Sequence, residues 1–360
     1  MEWKRPLRLL IAGGGTGGHI FMGISLAEEW KKRGEKNEVL FVGARGRLEE
    51  TLVPRAGIRL ELLKVFQLKG LPAAQRAKNF FKLPGPLFRC MQINRSYRPD
   101  VAIGVGGYSS GPAILAASLQ RIPTIIVEPN AKPGITNRWL CPWIRLAAVA
   151  FPEAEQYFGR KTRLTGIPVR KEFFYRAEPA PVLRLLIFGG SQGSRAINAA
   201  AAQAVPLLKA EISDLRVVHQ TGPGEFELYR KYQTSWWKVV PFIEDMAGEM
   251  SSATVVVCRA GASTLAELAA AGKCSLLIPF PFAADDHQTV NARSLAKRGS
   301  ARLLPQSELD GQSLFRSLLE LFRDPEQRSR METAVRQFSN PKSAQKIIDM
   351  ALDSIDGIES

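Results

Sequence analysis

One motif occurs twice in this chain, and the repeat limits what it can fold into. Leu9-Leu10-Ile11-Ala12 runs into Gly13-Gly14-Gly15-Thr16-Gly17-Gly18-His19, and 176 residues after Gly13 the run Leu185-Leu186-Ile187-Phe188 enters Gly189-Gly190-Ser191-Gln192-Gly193-Ser194. An apolar strand that ends in glycines before a helical stretch turns its backbone N–H groups, and the positive end of the helix, toward an anion such as phosphate. Two copies predict two similar domains with a ligand between them.

The remaining sequence continues the alternation. Apolar runs at 7–12, 39–42, 101–105 and 124–127, and then at 184–188, 215–218, 254–257 and 275–278, are separated by helical patterns. This predicts an α/β chain with doubly wound parallel sheets. The expected organisation is a Rossmann-like domain over 1–165, a linker over 166–183, a second Rossmann-like domain over 184–340 and an amphipathic helix in 341–360. The linker is marked by Gly166-Ile167-Pro168 and Glu178-Pro179-Ala180-Pro181. A length of 360 residues suffices for two cores.

A formal charge of +15 asks for anionic partners: nucleic acid, an acidic membrane surface or phosphorylated substrates. The N-terminal apolar run is too short for a signal peptide, and no window approaches the ~18 apolar residues of a membrane span. Cys90, Cys141, Cys258 and Cys274 form no CxxC pair and lie apart from the histidines. They are expected to be buried free thiols in a reducing cytosol.

The first glycine turn fits a dinucleotide site poorly. Such a site holds the ribose with an acid at the end of the second strand, and Val42-Gly43-Ala44-Arg45-Gly46-Arg47 supplies arginines there. An NADP enzyme could use them. His19 stands in the first turn of the following helix, at the carboxyl edge of the sheet, where an imidazole can take a proton from a hydroxyl near neutral pH. Gly104-Val105-Gly106-Gly107-Tyr108 forms a second candidate nest in the same domain, for one phosphate of a pyrophosphate or simply for a tight turn. In the second domain Gly261-Ala262-Ser263-Thr264 opens a helix that could hold a diphosphate. Glu267, one turn further in, could accept from ribose hydroxyls or serve as an ordinary first-turn acid. Asp285 or Asp286 is expected to cap the helix that carries His287 and Gln288.

Taken in order, Gly14 to His19, Gly104 to Tyr108, Gly189 to Gly193, Phe242-Ile243-Glu244-Asp245-Met246, Cys258 to Glu267 and Asp286-His287-Gln288 through Asn291 resemble the MurG family. Its members are the membrane-associated N-acetylglucosaminyltransferases of peptidoglycan synthesis. The resemblance runs over roughly Leu9 to Ser300. It implies a GT-B fold of two Rossmann-like domains around a cleft, and inverting transfer of N-acetylglucosamine from UDP-N-acetylglucosamine to lipid I, giving lipid II. It further implies that the donor meets Thr16, Gly17, Gly18, Asn130, Arg170, Ser191, Ile243, Ala262, Ser263, Thr264, Glu267 and Gln288. The acceptor pyrophosphate would meet Gly14, Gly15, Gly104, Gly106, Gly107 and Tyr108, with His19 as the base. No cofactor, metal ion or nucleic acid is expected. Helix N-termini and backbone amides would stabilise the departing UDP.

Independently of the resemblance, residues 62–99 contain no acid, while eight cations occur there: Lys64, Lys69, Arg76, Lys78, Lys82, Arg89, Arg95 and Arg98. Phe80, Phe81, Leu83 and Phe88 are interleaved with them. This predicts a surface that enters an anionic leaflet without spanning the membrane, and the resemblance implies the cytoplasmic side of the inner membrane.

Overall fold

The computed structural model describes residues 5–64, 84–175 and 182–359, the last three by their backbone alone. The chain forms two compact units, Met1–Val169 with Lys342–Ser360, and Arg170–Pro341.

The first unit holds β1 (Arg8–Gly13), β2 (Glu38–Ala44), β3 (Arg59–Leu63), β4 (Val101–Gly106), β5 (Thr124–Glu128), β6 (Leu146–Val149) and β7 (Thr162–Leu164). Their order is β3-β2-β1-β4-β5-β6-β7. Every pairing is parallel, and Leu10 lies between Leu40 and Ala102. The central strands are buried almost end to end, as expected of a parallel sheet covered on both faces. On one face Leu10, Leu40 and Ala102 pack with Ile93, Ile114 and Leu140 of the covering helices. The helix Gly17–Lys32 covers the other face, where Gly23 lets it approach Phe41 and Ile11; a Cβ at 23 would sit 2.5 Å from the Phe41 ring. Strand order reverses between β1 and β4, so the carboxyl ends of these two strands form the crevice where such sheets bind ligands.

The second unit holds β8 (Arg184–Phe188), β9 (Arg216–Gln220), β10 (Trp237–Val240), β11 (Val255–Cys258), β12 (Ser275–Leu277) and β13 (Arg302–Leu303). Their order is β10-β9-β8-β11-β12-β13, again parallel throughout, with the reversal between β8 and β11. Its core joins Leu185, Ile187, Val255 and Val257 to Ala201, Ala204 and Leu208 of the helix Arg195–Glu211, and to Leu314, Leu318 and Leu321 of the helix Gly311–Arg323.

One segment differs from the expectation, and the docking of a second, which the sequence leaves open, is visible in the structure. Of the expected linker, 166–169 belong to the first unit, while Lys171–Phe174 forms a 3-10 turn of the second unit with Phe173 fully buried. Burying one such ring contributes about 2 kcal/mol, enough to hold the turn against its neighbours. Ser251 Oγ also donates to the Tyr175 carbonyl at 3.0 Å. Residues 176–181 lie outside the described residues. The last helix, Ser343–Glu359, returns to the first unit, where it buries Ile347, Ile348 and Ala351. Arg33 pairs with its Asp349 at 2.7 Å.

Candidate functional site

In the first unit, two glycine segments meet at the reversal point. Gly14 N donates to the Gly106 carbonyl at 3.2 Å, and Gly107 passes so close that a Cβ there would lie 2.3 Å from the Gly14 oxygen. Gly14, Gly15, Gly106 and Gly107 all have positive φ, which glycine adopts without a steric penalty. Thr16 caps the helix by accepting from His19 N. The His19 ring lies against Gly106, where a Cβ would come within 2.8 Å of Nε2. Nδ1 is 3.2 Å from the Gly14 carbonyl and 3.1 Å from Thr16 Oγ1. A carbonyl only accepts, so neutral His19 carries its proton on Nδ1 and presents Nε2 as the basic nitrogen.

The expected acceptor set divides here. Gly14 N is bonded to β4, Gly15 N donates to Glu49 Oε2 at 3.1 Å, and Gly104 is buried within β4 between Ala12 and Ile126. The Gly14 and Gly15 amides are thus engaged inside the protein. Gly106 and Gly107 are half-buried and Tyr108 is exposed. Gly17 and Gly18 are half-buried in the first helical turn.

Asn130 follows β5. Its backbone N and its Nδ2 donate to Glu128 Oε1 at 2.9 and 3.0 Å. Gly134 N and Asn137 Nδ2 donate to the other carboxylate oxygen at 3.1 and 2.8 Å. Burial pushes the Glu128 carboxyl up, and these four donors pull against it. The buried acid thus shapes the 129–134 loop, a role that sequence spacing did not reveal.

The second unit presents two glycine segments at its carboxyl edge. Gly189 to Gly193 leads into the helix Arg195–Glu211, capped by Ser194, and Ser191 is exposed. Gly193 is at φ +75°, and a Cβ would fall 1.8 Å from the Thr221 carbonyl. Gly261 stands at the N-cap of the helix Ala262–Ala271, with Ala262, Ser263 and Thr264 half-buried in its first turn. Glu267 lies one turn on. Its carboxylate receives no hydrogen bond among the described residues, and desolvation pushes its pKa up to about 7 against the pull of Arg170. Arg170 itself is exposed and lies over the Phe173 ring at 5.0 Å.

Two side chains that the sequence reading left without a role tie these segments together. Gln220 Nε2 donates to the Gly190 carbonyl at 2.8 Å, and its Oε1 accepts from Ile243 N at 2.8 Å. Arg259 donates to Ser194 Oγ at 2.6 Å, to Gln306 Oε1 at 2.7 Å and to the Ile278 and Pro279 carbonyls at 3.1 Å. All these partners are neutral, and burial lowers its pKa to about 10. Behind the turn His219 is buried and kept neutral, its pKa lowered to about 4, with Nε2 3.0 Å from Asn198 Oδ1. Gln288 Oε1 accepts from Phe280 N at 3.0 Å.

Two smaller expectations are corrected. Asp286 stands at the N-cap of the helix His287–Lys297 but makes no side-chain cap bond; it and Asp285 have left-handed backbones, φ +55° and +56°. Cys90, Cys258 and Cys274 are buried, whereas Cys141 is half-buried and its Sγ donates to the Tyr157 carbonyl. Burial holds the Cys90 and Cys274 thiols up near a pKa of about 12, which keeps them unreactive.

Of the expected membrane surface, Lys69, Arg76, Lys78, Phe80, Phe81, Lys82 and Leu83 lie outside the described residues. Phe88 is 59% exposed, and Arg89 pairs with Glu61 at 3.2 Å. The same helical layer exposes Trp139 (71%) and Trp143 (51%), which the sequence reading passed over. Among the described residues no helix is long and apolar enough to cross a membrane.

Two doubly wound sheets, each with glycine turns at its reversal point, place the chain in the class of Rossmann-type proteins that bind nucleotides or their sugar conjugates. The profile of the glycosyltransferase family 28 N-terminal domain matches residues 9–149, and that of the family's C-terminal domain matches 184–347. The UDP-N-acetylglucosamine--N-acetylmuramyl-(pentapeptide) pyrophosphoryl-undecaprenol N-acetylglucosamine transferase of Syntrophus aciditrophicus is 41% identical, over 97% of this chain and 99% of that protein. The protein of the same name from Anaeromyxobacter sp. (strain Fw109-5) is 44% identical, over 97% and 94%. The crystal structure of Acinetobacter baumannii MurG superposes with a TM-score of 0.78 at 29% identity, covering 97% of this chain and all of that one. The chain belongs to the MurG family of family 28 glycosyltransferases, and its fold is of the GT-B type. A UDP-GlcNAc 2-epimerase from Neisseria meningitidis, with a TM-score of 0.70 at 14% identity over 96% of this chain and all of that one, shares the fold alone.

Proposed function

We propose that this protein moves N-acetylglucosamine from UDP-N-acetylglucosamine to the 4-hydroxyl of the muramoyl sugar of lipid I, undecaprenyl-pyrophosphoryl-muramoyl-pentapeptide, forming lipid II. The reading is supported by relatives of that name at 41 and 44% identity over nearly the whole chain. The observation that carries the donor half of it is Glu267, a half-buried carboxylate without a hydrogen-bond donor among the described residues, one turn inside a glycine-opened helix. Paired ribose hydroxyls are two donors that such a group lacks.

In this reading the second unit holds UDP. Ile243 meets the uracil through its backbone, Ser191 and the N-terminal turn Ala262-Ser263-Thr264 meet the diphosphate, and Gln288 meets the sugar. The charge of Arg259, whose hydrogen-bond partners among the described residues are all neutral, lies behind the first of these turns, on the Ser194 cap. In the first unit Gly106, Gly107 and Tyr108 meet the acceptor. His19 Nε2 takes the proton as the acceptor oxygen attacks the anomeric carbon. The bond to the diphosphate breaks on the opposite face with inversion, and its electron pair leaves with UDP. Backbone amides at helix N-termini take up the leaving charge, so EDTA leaves turnover unchanged.

The protein works as a peripheral enzyme at the cytoplasmic face of the bacterial inner membrane. Phe88, Trp139 and Trp143 enter the interface, and the cations of residues 62–99 meet anionic lipid. The test is release of UDP from labelled UDP-N-acetylglucosamine on addition of a lipid I analogue. Transfer to the analogue is expected. Absence of UDP release, with the donor bound, overturns the reading.

A further inference from the structure

Glu49 is a fully buried acid (0% exposed), and no cation lies within ion-pair distance of it among the described residues. Burying an unpaired carboxylate costs several kcal/mol, so its partners must be strong ones. They are backbone amides: Oε1 accepts from Ala44 N at 2.9 Å and Oε2 from Gly15 N at 3.1 Å. The acid also sits in the first turn of the helix Glu49–Arg55, where the helix end favours negative charge. The glycine turn closes directly around it, since a Cβ on Gly14 would lie 2.2 Å from Oε1.

The geometry extends beyond the carboxylate. Gly15 N–H and Gly14 C=O belong to one planar trans peptide and point in opposite directions. The N–H donates to Glu49, and the carbonyl accepts from His19 Nδ1 at 3.2 Å. A peptide whose N–H serves a carboxylate is polarised, and its oxygen becomes a stronger acceptor.

We infer that Glu49 is the positioning residue of His19: its carboxylate fills the nest that the glycine pattern offers to a phosphate and acts on the imidazole through the Gly14–Gly15 peptide. The arrangement resembles a carboxylate–histidine pair with one peptide interposed. It fixes the Nδ1–H tautomer and the direction of Nε2, and it leaves no place at Gly15 for the acceptor diphosphate. The inference rests on the proposed function only through the role of His19.

The test uses the full chain as wild type, Glu49→Gln and Glu49→Asp. In Glu49→Gln an amide NH2 confronts a backbone N–H, so the turn loosens and kcat falls on the order of 100-fold, while KM for UDP-N-acetylglucosamine stays within about twofold. Glu49→Asp keeps the charge on a shorter arm and recovers part of kcat. A kcat for Glu49→Gln within about twofold of wild type, or a loss confined to KM, overturns the inference. Nitrogen-15 spectra of the imidazoles give a readout independent of turnover and of whether the Glu49 variants fold. The chain has three histidines, His19, His219 and His287, and the His19 signals are the ones absent from His19→Gln. Wild type is expected to show His19 as the Nδ1–H tautomer; the Nε2–H tautomer there overturns the inference even if both Glu49 variants fail to fold.

Discussion

The two glycine turns look alike in sequence and are used in opposite ways. At the first, an internal carboxylate enters the turn and takes the Gly15 amide. At the second, a hydrogen-bonded side chain braces the turn from behind, as Gln220 accepts Ile243 N–H and donates to the Gly190 carbonyl. The acid nearby, Glu267, has no donor among the described residues. One unit has thus satisfied its anion nest from within and keeps a titratable ring, while the other keeps a carboxylate unsatisfied. A glycine-rich turn is therefore a backbone shape, and which anion it serves depends on the side chains that reach it.

Three experiments would break or sharpen this contrast. The largest effect is expected from His19→Ala, which should lower kcat on the order of 100- to 10,000-fold while UDP affinity, measured by calorimetry, is retained. An equal loss of UDP affinity would erase the division between the turns.

Next is Glu267→Gln, which should weaken uridine and UDP binding about 10- to 100-fold, the scale of hydrogen bonds to a charged acceptor. Uridine has no phosphate to titrate in this range, so wild-type affinity should rise with pH through about 7, as the free carboxyl ionises, and stay flat in the variant. The sign for stability is the reverse. The folded pKa lies above the unfolded value, so the folded state holds the extra proton between the two, and stability falls as pH rises toward 7. Glu267→Gln should then melt a few degrees above wild type at pH 8 and lose that advantage near pH 4. Equal melting at both values would show that the carboxylate is not shielded.

The third comparison reads stability alone, through two alanine substitutions. Gly193→Ala meets the Thr221 carbonyl at 1.8 Å and should cost about 2 to 5 kcal/mol in urea unfolding. Gly15→Ala has φ +83° but open space, and should cost about 1 kcal/mol. Equal costs would remove the packing difference between the turns.

All eight apolar runs read from the sequence are strands, because buried parallel strands are continuous in apolar residues. The strands without that signal are β3, β6, β7, β10 and β13, which are short and lie at or beside the sheet edges. The placement of Glu267 one turn inside its helix was legible, because it and its turn share one helix and helical spacing fixes their relation. Glu49, Gln220 and Glu128 were not legible as parts of a site. Glu49 reads as an ordinary first-turn acid, and the glycine whose amide it accepts lies 34 residues earlier. Gln220 joins segments 30 residues before it and 23 after it.

By itself the sequence determined the two doubly wound sheets, the glycine turns at the ends of strands and the family, since each is encoded in local periodicity or in the order of motifs. Tertiary structure decided which amides remain open to a ligand, which tautomer His19 adopts and where the last helix docks. Those outcomes depend on hydrogen bonds and burial between residues far apart in the chain, and local pattern carries no record of such partners.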